Sequence, residues 1–158
     1  MIKEFQQVKQ ILAAIKTAQQ AADPELTSPE VKVEPADTFL SKAIALLKSI
    51  NPSYFVGVRK IVADNGSAFG YVESGTGKDP SVIHINLNKI KNELKAKLPG
   101  ASSEQFDQEL VRQIANTISH EAGHVKSFKP EGGFVGGEMP AEAEANQMQP
   151  KIDATLNR

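Results

Sequence analysis

The sequence predicts an α+β fold in which a small twisted sheet packs on one long helix, and three observations carry this. Apolar residues recur at three- and four-residue spacing up to Ile50 and again from Phe106 to Val125, which is the helical period. Between them, Tyr54 to Asn88 is rich in β-branched and aromatic residues, as strands are. A chain of 158 residues, 40% apolar and 23% charged, suffices for one domain with one hydrophobic core.

Residues 1–22 form the first predicted element. Met1, Phe5, Val8, Leu12, Ile15 and Ala22 trace one stripe of an amphipathic helix, which could self-associate as a short coiled coil or pack on its own domain. Residues 23–37 read as a linker, because Pro24, Pro29 and Pro35 alternate with charges and leave little to bury. Residues 38–158 form the main domain. Asp37 is placed to cap its first helix, which runs to about Ile50.

A β section follows. Tyr54 to Ala63 reads as a strand, Asp64-Asn65-Gly66 as a turn, and Ser67 to Glu73 as the returning partner. In Ser81 to Asn88, Ile83, Ile85 and Leu87 alternate with Val82, His84 and Asn86, the period of a half-buried strand. A three-stranded meander is the simplest arrangement. Lys89 to Leu98 is then a short helix. Ser102 with Gln105 resembles a capping box that opens a helix reaching about Lys126. Pro130 to Gly137 is an irregular loop. Pro140 suits the first turn of a last helix, which Pro150 limits.

The bulk numbers narrow the function. A net charge of −1 provides no basic field for nucleic acid or an anionic membrane. The absence of cysteine removes disulfides, thiolate ligands and a cysteine nucleophile together. No secretory signal or membrane span is legible, so a cytoplasmic location is expected.

Chemistry concentrates in His120-Glu121-Ala122-Gly123-His124. On a helix, positions i and i+4 put both imidazoles on one face, where they can bind one zinc ion at roughly 2.0–2.1 Å. Glu121, at the edge of that face, can act as general base on a metal-activated water without being a ligand. The apolar stripe from Phe106 to Ile118 runs towards the two histidines, so their side of the helix faces inward, where unpaired imidazoles are costly. Gly123 makes sense if another backbone passes close by. A third ligand must come from downstream or from the sheet, and Glu138, Glu142 and Glu144 all follow the glycine loop. Glu142 is favoured, because it and Asn146 are i and i+4 and can both face the metal while Glu144 points elsewhere.

His120-Glu121-x-x-His124 followed by Glu142-x-x-Ala145-Asn146 resembles the gluzincins, and most nearly the small ImmA/IrrE-type zincins. The likeness spans roughly Tyr54 to Gln149 and includes the Ile-rich strand from Ile83 to Asn88. It implies a zincin-like domain in which His120, His124 and Glu142 bind one Zn2+ and Glu121 is the catalytic base. It also implies that Asn146 supports a zinc-bound histidine. The chain departs from the pattern at Pro150, which interrupts the last helix. It also has no Tyr or His after Glu142 to stabilise an oxyanion. Tyr71, His84, Tyr54 or an arginine such as Arg112 would have to serve, and the sequence does not choose among them.

The expected function is therefore zinc-dependent hydrolysis of peptide bonds in a peptide or protein substrate. An exposed sheet edge, Ser81 to Asn88 or else Tyr54 to Ala63, would hold the substrate by strand addition. The alternative is a zincin domain with little or no catalysis that keeps its zinc as a protein-binding or regulatory module.

Overall fold

A computed structural model describes residues 32–34, 37–129 and 133–157 of the chain. The amphipathic stripe of residues 1–22, and any self-association through it, lies outside these residues. Helix α1 (Thr38–Ile50) starts where its cap requires, with the Leu40 N–H donating to Asp37 Oδ1 at 2.9 Å. It buries Leu40, Ala43, Ile44, Leu46 and Leu47.

Strand β1 (Lys32–Glu34) falls in the stretch read as linker. It pairs in parallel with β2 (Lys60–Ala63), so the sheet begins upstream of the expected domain boundary. The stretch from Pro52 to Gly57 is a series of turns rather than strand. Its backbone bonds locally, Tyr54 N–H to Asn51 O and Val58 N–H to Phe55 O, which buries Tyr54 and Phe55 without a ladder.

The meander does not form. Strand β3 (Gly70–Tyr71) is antiparallel to β4 (Val82–Ile85), not to β2, while β2 and β4 are parallel. The sheet order is β1-β2-β4-β3. The residues after β2 pass over the end of β4 instead of folding back as a hairpin. Asn86 Nδ2 donates to Gly66 O at 2.7 Å, Lys89 Nζ donates to Ser67 O at 2.6 Å, and the Asn86 N–H donates to Phe69 O at 2.8 Å. Strand β4 is therefore internal, and neither it nor β2 is an edge onto which a substrate strand could add. Ile83 and Ile85 are fully buried while His84 is half-buried. One face of the sheet thus carries the core and the other stays partly open.

Helix α2 (Leu87–Lys97) is capped by Asn86, which accepts from the Lys89 N–H at 3.1 Å. Helix α3 (Ser103–Ser127) has the expected capping box, with Ser102 and Gln105 each bonding the other's backbone N–H. A two-stranded hairpin, β5 (Phe128–Lys129) with β6 (Gly133–Phe134), occupies part of the stretch read as loop.

Helix α4 (Met139–Leu156) has Pro140 in its first turn as expected, but it runs through Pro150 to Leu156. A proline inside a helix costs about 3 kcal/mol. Beyond it Ile152 and Leu156 are buried at 0% and 1% exposure, and each such side chain contributes about 1.5–3 kcal/mol. Packing therefore outweighs the proline. Helix α4 lies antiparallel along α3: Gln108 Nε2 donates to Leu156 O at 3.1 Å, and Ala141 meets Gly123 at the other end. The fold is α+β, with four helices and a small sheet among the described residues. None of these helices is long and apolar enough to cross a membrane.

Candidate metal centre

Helix α3 carries His120, Glu121 and His124 as one continuous turn, and two glycine contacts fix what surrounds them. A Cβ on Gly123 would lie 2.6 Å from Ala141 Cα and 2.7 Å from Pro140 O, so only glycine admits the start of α4 at this distance. The close backbone approach expected at Gly123 is present. On the other side, a Cβ on Gly70 would lie 2.9 Å from Thr117 Cγ2 and 3.1 Å from Glu121 Cγ. Strand β3 is thereby held against the helix as one wall of the cleft.

The two imidazoles meet a carboxylate. Glu138 Oε2 is 2.9 Å from His120 Nε2 and 3.3 Å from His124 Nε2. One ligand atom from each of the three residues lies within 4.8 Å of the others. Two imidazole nitrogens and a carboxylate oxygen are a donor set of the kind that binds zinc, and the three lie close enough together to hold one metal ion. Phe134, held by the β5–β6 hairpin, packs edge-on against His124 with ring centroids 5.9 Å apart. Partial burial works against the charge on Glu138, but the hydrogen bond to His120 and the nearby His124 hold its carboxyl below the usual range.

Glu142, the expected third ligand, is exposed and is not part of this cluster. The physical reason is helix register. Glu138 is the N-cap residue of α4, and the contact of Ala141 with Gly123 brings that end of the helix to the histidines. Glu142 sits a turn further on. Asn146 is also exposed and supports no imidazole, and the buried Nδ1 of His124 has no hydrogen-bond partner among the described residues. Glu144 points away, as anticipated, and pairs with Lys126 at 2.8 Å. Glu138 was among the downstream glutamates. The signal that favours it is Pro140, which fixes the start of the helix and so makes Glu138 its cap.

Glu121 is 5% exposed. Burial, with the nearby Glu138 charge adding to it, pushes its carboxyl up to about 7. It opens with His120, His124 and Glu138 onto a cleft of about 320 Å3 rimmed by Gly70 and Tyr71.

Of the candidates for oxyanion stabilisation, Tyr71, His84 and Arg112 are otherwise engaged and Tyr54 is buried. Tyr71 donates its hydroxyl to Asp64 Oδ2 at 2.7 Å, and His84 Nδ1 lies 2.7 Å from the same oxygen. The two rings stack with centroids 4.3 Å apart. Because Gly70 faces α3, the alternation of the strand turns Tyr71 and its partner His84 to the open face of the sheet. Hydrogen bonding to Asp64, with burial, pushes Tyr71 up to about 12. Arg112 pairs with Asp153 at 3.4 Å and with Glu109 at 3.6 Å, and it lies about two turns before His120 along α3. Tyr54 is buried beneath Lys126, whose Nζ is 4.8 Å from its ring.

No family model, no curated protein and no solved structure matches this chain.

Proposed function

We propose that this chain is a zinc-dependent peptidase of the zincin type. The observation that carries the reading is the convergence of His120, His124 and Glu138 within 4.8 Å, with the buried Glu121 opening onto the same cleft. These three residues would hold the metal. Bound zinc supplies Lewis acidity, which polarises a carbonyl and makes water easier to deprotonate.

The chain's own groups do the rest. Glu121, with a carboxyl near 7, is tuned to take a proton from the attacking water at neutral pH. The water oxygen bonds to the scissile carbonyl carbon, the C–N bond breaks, and Glu121 returns the proton to the leaving amine. Strand β3 is the sheet edge beside the cleft, and an extended substrate could lie along it by strand addition. A general base contributes roughly 10²–10⁴-fold to rate. Glu121→Gln is therefore expected to keep zinc and fold while losing peptide hydrolysis by that factor. Equal turnover by wild type and variant would overturn the assignment.

A second reading, a zinc-holding binding module with little turnover, is favoured by one observation. Tyr71 is the only hydroxyl among the described residues rimming the cleft, and it is committed to Asp64. An unbiased peptide-library digest with zinc-loaded protein separates the two, since the module leaves every peptide intact.

A further inference from the structure

Three cavities succeed one another along α3, each sharing walls with the next. The cleft over the two histidines shares Gly70, His120 and Glu121 with a neighbour of about 340 Å3. That neighbour shares Phe69 and Thr117 with a third cavity, of about 230 Å3, between α2 and α3. Phe69, Ile90, Leu94 and Leu98 give the third cavity an apolar lining. Glu109 and Gln113, on its α3 wall, are bonded to each other at 3.1 Å.

Ile90 and Leu94 are buried, whereas Phe69 and Leu98 are each 37% exposed. Lone exposed apolar side chains are ordinary on a protein surface. Here two of the five large hydrophobics exposed among the described residues stand over one hollow, and such concentration marks a binding surface. The Phe69 ring is also fixed in place. Lys89 Nζ lies 5.2 Å from its centroid and donates to Ser67 O at 2.6 Å. The Asn86 N–H donates to Phe69 O at 2.8 Å. A preformed apolar wall costs an incoming ligand little ordering.

Phe69 immediately precedes β3, the sheet edge beside the cleft. On one side of the scissile bond, a peptide extended along that edge runs from Glu121 towards the third cavity. Its backbone lies over the hollows and its side chains enter them. Glu121 and Gln113 are eight positions apart on one helix, about 12 Å at 1.5 Å per residue. An extended chain covers that distance in about three to four residues.

We propose that the third cavity is a distal substrate subsite, seating a large apolar side chain such as leucine or phenylalanine about three to four residues from the scissile bond. This rests on the peptidase reading above and adds a substrate class to it: an extended segment with an apolar anchor away from the cut. Binding energy gained so far from the reacting atoms serves to draw the chain across the cleft.

The test uses peptides that are identical around the cleaved bond and carry leucine or serine at each position up to the sixth on either side. Zinc-loaded wild type is expected to favour leucine by about tenfold or more in kcat/KM at one position, three to four residues from the cut. Leu98→Ser should level that ratio with zinc content unchanged. Phe69→Ser is the second variant, with the same levelling expected. No leucine preference at a distal position, or a ratio unmoved by both variants, overturns the inference while leaving the peptidase reading intact. Failure of wild type to cleave any peptide instead refutes the peptidase reading. The subsite is then read by fluorescence anisotropy of the labelled peptides with the same zinc-loaded proteins. Tighter binding of a leucine peptide, lost in Leu98→Ser, supports the subsite, and equal binding overturns it. A dimer in sedimentation that Leu98→Ser dissolves gives the hollow to a second copy of the chain and likewise overturns it.

Discussion

His84 and His120 each lie against a carboxylate, at 2.7 Å from Asp64 and 2.9 Å from Glu138, yet the two clusters differ in how they are built. Around His84, one Asp64 oxygen takes both the imidazole and the Tyr71 hydroxyl, and the two rings stack. All of this is set by neighbouring strands and the turn that follows one of them. Around His120, the carboxylate comes from a separate helix and its side chain is 66% exposed. His124 Nδ1 is buried with no hydrogen-bond partner among the described residues, as Asp64 Oδ1 is in the other cluster, and Glu121 is pushed up to about 7 by burial and by Glu138. The first cluster ties β3 to β4. The second brings two imidazoles and a carboxylate within 4.8 Å of one another, close enough to hold a metal ion.

The sharpest way to break this contrast is to remove an imidazole from each side. His124→Ala is expected to abolish stoichiometric zinc binding, because it removes one of the two imidazoles, whereas loss of the exposed carboxylate leaves both. His84→Phe keeps the stack and should bind zinc as wild type does. Elemental analysis of both proteins decides it, and zinc lost from the His84 variant would erase the distinction.

Next in size is the choice of carboxylate. Glu138→Ala should weaken zinc binding by roughly tenfold or more, and Glu142→Ala by much less. Competition with a zinc-binding dye measures both. The reverse order would place the metal a turn further along α4 than the cluster described here.

A smaller effect concerns pH. The Glu121 carboxyl is raised from 4.5 to about 7 in the folded chain. The unfolded chain therefore loses this proton first as pH rises. The metal-free protein should lose stability between about pH 4.5 and 7, on the order of 3 kcal/mol in full. Glu121→Gln lacks this slope. Urea unfolding of the two metal-free proteins should agree at pH 4 and diverge at pH 8, with the glutamine variant more stable. Parallel profiles would show that the carboxyl is not perturbed.

The smallest effect belongs to the structural cluster. Asp64→Asn should cost about 1–3 kcal/mol through the weakened bonds to Tyr71 and His84, with zinc content unchanged. Thermal unfolding beside metal analysis reads both.

Local signals explain what was legible. The caps at Asp37 and Ser102 and the paired histidines depend on residues within a turn of one another, and each appears as expected. Sheet order did not follow from such signals. Asp64-Asn65-Gly66 has hairpin chemistry, but Asn86 and Lys89, twenty or more positions on, draw the chain across β4 instead. Lys32–Glu34 sits among prolines and charges, and only β2 makes it a strand. Glu142 was favoured over Glu138 because an i,i+4 pattern tells which residues share a helix face, not how far along its neighbour that helix is docked.

Helix pairs normally sit roughly 8–10 Å apart, the side chains between them acting as spacers. Where α3 meets α4 the spacer is missing, since Gly123 presents only its backbone to Pro140 and Ala141. Position 123 therefore works as a gauge for the candidate metal centre, because Glu138 rides on the end of the helix that touches it. Any side chain there would lift that end of α4 and carry the carboxylate off two histidines that had not moved. A site can in this way be opened without altering a ligand, and a single methyl group is the smallest tool that would do it.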